Sequence, residues 1–451
     1  PRRRPSDPEL AAAVDLHRRL SRRRFLQRSG MGIGAALLAP TTGEHQPRRR
    51  APAVRSGGGR GRTQAPPRWS RSRAMKTVVY VHSTPWSVSP ANTDWRLRRV
   101  LASLSERFPE VDLHLPTRWS SGIVPNAQYL ALRGLGVLQN TTRRPVVPER
   151  LRYECLVSRS EMERVRPDVV VCQGHFPANV RACPVLWETE LLEPSEAGPT
   201  RTADDAAFAA ALERLRRYGE RAGGIGVRGQ RAVQLVTARV PAFATKTFDL
   251  PFYLPDLEPM EEEVVRAKHR GRRALRILFV GSQSRRKGLP TLIDAVATIV
   301  ARGQASVHLD IVSDFRDGAV DVPRAGWLTL HGELPWNQTM CLFRQAHVFA
   351  MPSRIESWGL SYVEGLASGC VTIARDFEPQ RELVNYGNAG VLVDPLSVND
   401  LAATLEELLL DEQHCLELAV AGVRWFTRRW HWKVTGPAWV RALRTVSRHA
   451  D

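Results

Sequence analysis

The sequence predicts an α/β protein made of two doubly wound domains with parallel sheets. From Met75 onward, short β-branched runs alternate with longer stretches of helical periodicity, the pattern of parallel strands joined by crossover helices. A Pro- and acid-rich passage, "LPFYLPDLEPMEEE" (residues 250–263), interrupts the alternation once before it resumes. With 451 residues and 43% hydrophobic content, each half has material for a core of its own.

Residues 1–74 stand apart from this pattern. They hold 18 arginines and no lysine against four acids, a local charge of +14 out of +19, which leaves +5 for the rest of the chain. A segment of this composition is expected to be a disordered extension. Within it, "SRRRFLQ" followed by "GMGIGAALLAP" has the outline of a twin-arginine export signal. The competing reading is an over-long gene start, because Met75 directly precedes an apolar strand and looks like a natural beginning. With the excess charge confined to this end, no nucleic-acid partner is expected. The six cysteines form no CxxC pair and have no histidine at ligand spacing, so neither a metal site nor a disulfide framework is expected. No apolar run reaches the roughly 18 to 20 residues of a membrane-spanning helix.

The first domain is expected over residues 75–255. "TVVYV" (77–81), "VDLHL" (111–115), "VVVC" (169–172) and "PVLW" (184–187) read as strands, and residues 94–108 and 205–222 as amphipathic helices. "GIGVRG" (224–229) has the form GxGxxG but follows an arginine-rich helix, so it reads as a turn, a short strand and a helix start. Glu188 and Glu190 read as solvated loop residues; facing a cleft, they would instead suit a general base. Residues 256–275 are expected to link this domain to a second one over residues 276–428.

In the second domain "RILFVG" (276–281) reads as a buried strand. Leu289, Leu292, Ile293, Val296 and Val300 then fall on one helical face, with Pro290 at its start and Gly303 past its end. Further strands are expected at residues 307–312, 328–332, 347–351, 371–374 and 390–393. Doubly wound sheets bind ligands at the carboxyl ends of their strands.

Two constellations lie at such strand ends. "FVGSQSRRKGL" (279–289) places Arg285, Arg286 and Lys287 at a helix start, where unpaired N–H groups and the helix dipole also favour anions. It lacks the Walker spacing but suits a diphosphate. "RIESWGLSYVE" (354–364) places Glu356 in a loop and Glu364 about one turn into a helix beginning near Leu360, after a turn at Gly359. Two carboxylates there suit the paired hydroxyls of a sugar or ribose. Tyr362, Val363, Leu366 and Ala367 mark the helix as mostly buried, where an unpaired acid would be costly.

"PSRIESWGLSYVEGLASGCVTIARD" (352–376) resembles the retaining glycosyltransferases of GT-B family 4, whose signature has two glutamates with seven residues between them. Trp358 and Ser357 are mild departures from it. "RILFVGSQSRRKGLPTLIDA" resembles the family's phosphate loop, and residues 381–411 resemble the segment closing its second domain. The resemblance covers residues 276–428 well and the first half loosely. It implies a GT-B architecture, two Rossmann-like doubly wound domains facing across a cleft. The implied activity is transfer of a hexosyl group from a nucleotide-diphosphate sugar to a hydroxyl acceptor with retention, without metal or other cofactor. A sugar-nucleotide-binding protein of the same fold without transfer activity is the alternative.

By position, the resemblance implies that Glu364 holds the donor ribose and Glu356 contacts the donor sugar. Gly359 and Leu360 would offer N–H groups to the diphosphate, and Lys287 would neutralise the departing phosphate. Gly281, Arg286, Ser357 and Ser361 complete the implied donor-binding set. Ser282 stands where the family usually has an arginine, a role that Arg286 or Arg285 would take. "RPDVVVCQGHF" (166–176) resembles the strand and loop that deliver a histidine to the donor sugar, which points to His175. The loop after the first strand, "HSTPWSVSP" (82–90), lacks the family's paired glycines. The final segment, residues 429–451, resembles the helix that crosses back onto the first domain, with Trp430, Trp432 and Trp439 as packing anchors. The expected location is the cytoplasm, with peripheral membrane contact at the inner face through a basic helix at residues 97–108.

Overall fold

In the computed structural model the described residues are 75–81, 103–114, 154–155, 157, 159–173, 175–189, 201–303, 306–315, 320–354, 356, 358–394 and 396–448. The expectations for residues 1–74, for the loop at 82–90, for Glu190 and for Ser357 lie outside them.

Two parallel sheets of six strands each carry the fold. The first contains β1 (Met75–Val81), β2 (Val111–His114), β4 (Val169–Gln173), β6 (Val185–Glu188), β7 (Gly224–Val227) and β8 (Thr247–Asp249), in the order β2-β1-β4-β6-β7-β8. Two short strands, β3 (Glu154–Cys155) and β5 (Phe176–Pro177), pair separately. Central β4 is buried from Val169 to Cys172, as a strand covered on both faces must be. Helices α1 (Arg159–Val165), α2 (Arg201–Gly219) and α3 (Gln230–Arg239), a 3-10 helix at Pro241–Lys246 and a helical stretch at residues 103–107 accompany these strands among the described residues. The GIGVRG stretch forms β7 and the turn into α3, a strand and helix start.

The second sheet contains β9 (Leu275–Val280), β10 (Val307–Val312), β11 (Leu328–Gly332), β12 (Val348–Ala350), β13 (Val371–Arg375) and β14 (Val391–Val393), in the order β11-β10-β9-β12-β13-β14. The order turns back between β9 and β12, which makes the carboxyl ends of these two strands the topological switch point, where such sheets open a crevice. Between the strands run α5 (Leu289–Ala301), α6 (Trp336–Gln345), α7 (Leu360–Ala367), α8 (Gln380–Leu383), α9 (Val398–Leu410) and α10 (Glu412–Arg429). In α5 the predicted face is the buried one: Leu289, Leu292, Ile293 and Val296 join the core and Val300 packs against it. Within residues 256–275, α4 (Glu262–His269) lies on this domain, with Val265 in its core.

The last helix, α11 (Trp432–Arg448), returns to the first sheet. Trp439, Val440, Leu443 and Val446 share a core with Val111, Val169, Val171 and Leu186, and the Trp439 indole donates to Pro251 O at 2.9 Å. Trp430 packs edge-on against Trp358 at 5.1 Å, and Trp432 donates to Glu258. The three tryptophans are packing anchors, as expected.

A polar cluster ties the two domains together. Glu382, at the end of β13's connection, accepts from the backbone N–H groups of Gln230 at 2.9 Å and Arg231 at 3.2 Å, the open N-terminus of α3. Arg429 donates to both Glu382 and Asp249, and Asp249 accepts from Gly229 N at 2.9 Å. Gly229 allows this approach: a Cβ there would stand 2.5 Å from Glu382 Oε2. The cluster therefore joins the carboxyl ends of β7 and β8 to α8 of the second domain. Glu382→Ala leaves the α3 amides uncapped and should cost ~2 kcal/mol in denaturant unfolding; a change within ~0.5 kcal/mol, the size of an ordinary surface substitution, would refute the clamp.

At the opposite, amino-terminal edge of the second sheet, two histidines are buried as neutral rings. His347 Nδ1 accepts from Arg276 N–H at 2.9 Å, and His269 Nε2 meets Gly369 O at 2.9 Å. Burial, aided by the neighbouring Lys268 charge, pushes His269 down to about 3 and His347 down to about 4. In the unfolded chain both titrate near 6.5. As pH falls below about 6.5, therefore, the unfolded state takes up protons that the fold refuses, and stability declines toward pH 4. Unfolding free energies measured across pH 7 to 4 should show this loss; a flat profile would contradict it.

Candidate active site at the switch point of the second sheet

The candidate residues of the second domain come from the two loops that leave β9 and β12. After β9, the backbone folds tightly: Lys287 N donates to Gln283 O at 3.0 Å and Leu289 N to Ser284 O at 2.9 Å. The Lys287 stem lies back over Gly281, 2.4 Å from where a Cβ would be. Gly288 ends the loop as the N-cap of α5 with φ 81°. Only glycine suits it, because a Cβ would fall 2.1 Å from Pro352 O in the neighbouring loop.

After β12, the loop runs from Met351 to Gly359, the N-cap of α7. It is laced to the first loop and to β13: Arg354 N donates to Arg286 O at 2.9 Å, and Arg375 donates to Arg354 O. The Tyr362 hydroxyl, buried in α7, donates to Met351 O at 2.5 Å. Burial, reinforced by the Glu356 charge, raises the tyrosine pKa well above its usual range. It therefore acts as a fixed donor that pins the loop to the helix.

This lacing brings Glu356 against the basic loop. Its Oε2 lies 3.5 Å from Lys287 Nζ and 3.7 Å from Arg286 Nη1, and the side chain is 9% exposed. Oε2 accepts no hydrogen bond, so charge alone holds it there. Of the two arginines expected in the role that Ser282 leaves open, Arg286 is turned to this carboxylate, while Arg285 is exposed. Ser282 is exposed as well.

Glu364 stands on α7 as expected, one turn in and 3% exposed. The expectation that such an acid needs a partner is met from a residue that sequence reasoning passed over. Trp336, the first residue of α6, donates its indole N–H to Glu364 Oε1 at 2.9 Å. Leu360 and Ser361 occupy the first turn of the same helix. Arg375 and Gln380 were missed too; Gln380 donates to Glu356 O at 3.3 Å. Their sequence signal was position at the carboxyl end of β13 and shortly after it.

In the first domain His175 follows β4 and is 2% exposed. Glu188 corrects an expectation: it is not a solvated loop residue. It ends β6 as a buried side chain, its Oε1 2.5 Å from Arg228 Nη2, and Arg228 in turn covers the Phe252 ring. A carboxylate engaged in such a buried ion pair is disfavoured as a general base. Among the described residues no group of three or more His, Cys, Asp or Glu side chains is arranged to hold a metal ion.

The arrangement suits an anion flanked by hydroxyl groups: two cations and a helix N-terminus at the switch point, with a carboxylate on either side of Gly359. An incoming anion competes with Glu356 for Lys287 and Arg286. Neutralising that competitor with Glu356→Gln should tighten binding of inorganic pyrophosphate about tenfold by calorimetry, some 1.4 kcal/mol. Equal or weaker binding would contradict the competition.

Residues 274–411 match the family model described as Glycosyl transferases group 1. Among curated proteins, the chain is 29% identical over 159 residues to the GDP-mannose-dependent alpha-(1-6)-phosphatidylinositol monomannoside mannosyltransferase of Mycobacterium tuberculosis, covering 33% of this chain and 41% of the relative. It is 31% identical over 179 residues to the phosphatidyl-myo-inositol mannosyltransferase of Mycolicibacterium smegmatis, covering 38% and 45%. The chain thus spans less than half the length of these relatives. Among solved structures, sucrose-phosphate synthase from Thermosynechococcus elongatus superposes with a TM-score of 0.53 at 16% identity, over 84% of this chain and 100% of that one. Anabaena Alr3699/HepE in complex with UDP does so with 0.53 at 16%, over 82% and 100%. The chain therefore has the GT-B fold, and its residues 274–411 are similar to the glycosyl transferases group 1 family.

Proposed function

We propose that this protein is a retaining glycosyltransferase that moves a hexosyl group from a nucleotide-diphosphate sugar to a hydroxyl acceptor, without a metal. The observation that carries the reading is the buried Glu356 carboxylate set against Lys287 and Arg286 at the switch point, in the loop that leads into α7, which carries Glu364 about one turn in. The relatives' names, one of them GDP-mannose-dependent, point to a mannosyl donor and an inositol-lipid acceptor. Among the described residues no helix is long and apolar enough to cross a membrane, so contact with such a lipid would be peripheral.

In this reading the donor diphosphate lies over the N-terminus of α7, taking N–H groups of Gly359 and Leu360, with Ser361 beside it. Lys287 and Arg286 stabilise the charge that develops as the bond between the sugar's anomeric carbon and the diphosphate oxygen breaks. They supply what a divalent ion supplies in other transferases. The acceptor oxygen bonds to the same face of the anomeric carbon, and its proton passes to the departing diphosphate. Glu356 positions the sugar and stabilises its positive charge, Glu364 holds the ribose, and His175 approaches the sugar from the first domain. Domain closure excludes water and suppresses hydrolysis.

The test is a calorimetric donor screen including GDP-mannose, then turnover with the best donor. Lys287→Ala should lower kcat by about 100- to 1000-fold, the range seen when a preorganised charge stabiliser is removed. Unchanged kinetics would refute its role.

A further inference from the structure

We propose that Trp358 is a positioning residue for Glu356: it fastens the loop of that carboxylate to the segment that joins the two domains. This rests on the reading above, in which Glu356 positions the donor sugar. Trp358 stands two residues after Glu356 and directly before Gly359, the N-cap of α7. It is 2% exposed and belongs to the core of the second domain. Its ring meets Trp430 edge-on at 5.1 Å, with 84° between the planes. Trp430 lies between the end of α10 and the start of α11, where the chain passes from the second domain back to the first. The Arg429 guanidinium covers the Trp430 ring at 4.4 Å, and the same arginine bridges Glu382 and Asp249. The six-membered ring of Trp358 also approaches the first domain, since a Cβ on Gly229 would stand 3.1 Å from its Cζ3.

A buried tryptophan ordinarily packs within one domain. This ring has neighbours on both sides of the domain junction, and it sits in the same loop as the acid of the site. The described part of that loop has no regular structure, so the place of Glu356 is set by the points where the loop is tied. Upstream the tie is Arg354, held by Arg286 O and by Arg375, and the Glu356 carbonyl takes a long bond from Gln380 at 3.3 Å. Downstream it is Trp358. Edge-to-face aromatic pairs prefer a particular orientation, so packing on Trp430 fixes the direction of the ring as well as filling volume. Phenylalanine at this position would keep an apolar side chain in the core but, one ring shorter, would withdraw from Gly229. Glu356 Oε2 is held near Lys287 and Arg286 by charge, without a hydrogen bond, so its attraction to both depends on where the loop places it. A looser loop makes Glu356 a weaker competitor for those two cations.

The experiment is calorimetry of inorganic pyrophosphate on the full chain, for the wild type, Trp358→Phe, Trp430→Phe, Glu356→Gln and the double variant Trp358→Phe/Glu356→Gln. Trp358→Phe should tighten pyrophosphate about threefold, because a displaced Glu356 leaves Lys287 and Arg286 freer. Trp430→Phe should act in the same direction; the buried Trp430 indole N–H has no hydrogen-bond partner among the described residues, so this change breaks no hydrogen bond. General damage to the site would weaken binding instead. In the Glu356→Gln background, Trp358→Phe should change the affinity by less than about 1.5-fold, since both substitutions act through one side chain. With the best donor, Trp358→Phe should lower kcat about tenfold and leave KM within about twofold. An unchanged or weaker pyrophosphate affinity in Trp358→Phe, an equal effect of it with and without Glu356, or an unchanged kcat would overturn the positioning role. A wild type that binds pyrophosphate but turns over no donor would overturn the transferase reading, and the pyrophosphate cycle would still decide the role of Trp358. A wild type that binds no pyrophosphate would overturn both.

Discussion

One carboxylate sets the relation between the two halves of this protein. Glu382 leaves the second sheet and ends on the open amides of α3 in the first domain, with Arg429 bridging it to Asp249. Burying this acid is tolerable because three donors meet it there, two of them backbone groups at the open end of α3. The clamp fastens the start of α3 and the end of β8 in the first domain to α8 of the second through polar groups.

The site inside the second domain depends on a different kind of economy. The cations come from one loop and the acid from another, and neither loop is a regular element. Backbone groups hold the two in register, since Arg354 is engaged on one side by the Arg286 carbonyl and on the other by Arg375. Tyr362 then pins the acid's loop to the helix whose N-terminus lies below it. Charges placed by such lacing keep their geometry without reorganising when a ligand's charge changes, which is the condition for electrostatic catalysis.

Much of this was legible in the sequence. The strands at residues 307–312 and 328–332, the buried face of α5 and the glycine turn into α7 all follow from periodicity and turn chemistry, which are local. The demand for a partner at Glu364 was legible too, because its neighbours are apolar. Its partner was not: Trp336 lies 28 positions away and meets it only through the packing of α6 beside α7. Glu188 misled for the same reason. An acid at a strand end next to a polar stretch reads as solvated, and only the pairing of β6 with β7 brings Arg228 to it.

The sequence by itself determined the elements, the two-sheet architecture and the pair of glutamates, since hydrophobic period and residue spacing act over a few neighbours. The tertiary structure alone decided which charges face each other, how Glu364 is aimed and where the two domains are fastened. Those outcomes depend on contacts between residues distant in the chain, whose free energies belong to pairs and leave no trace in either residue taken singly.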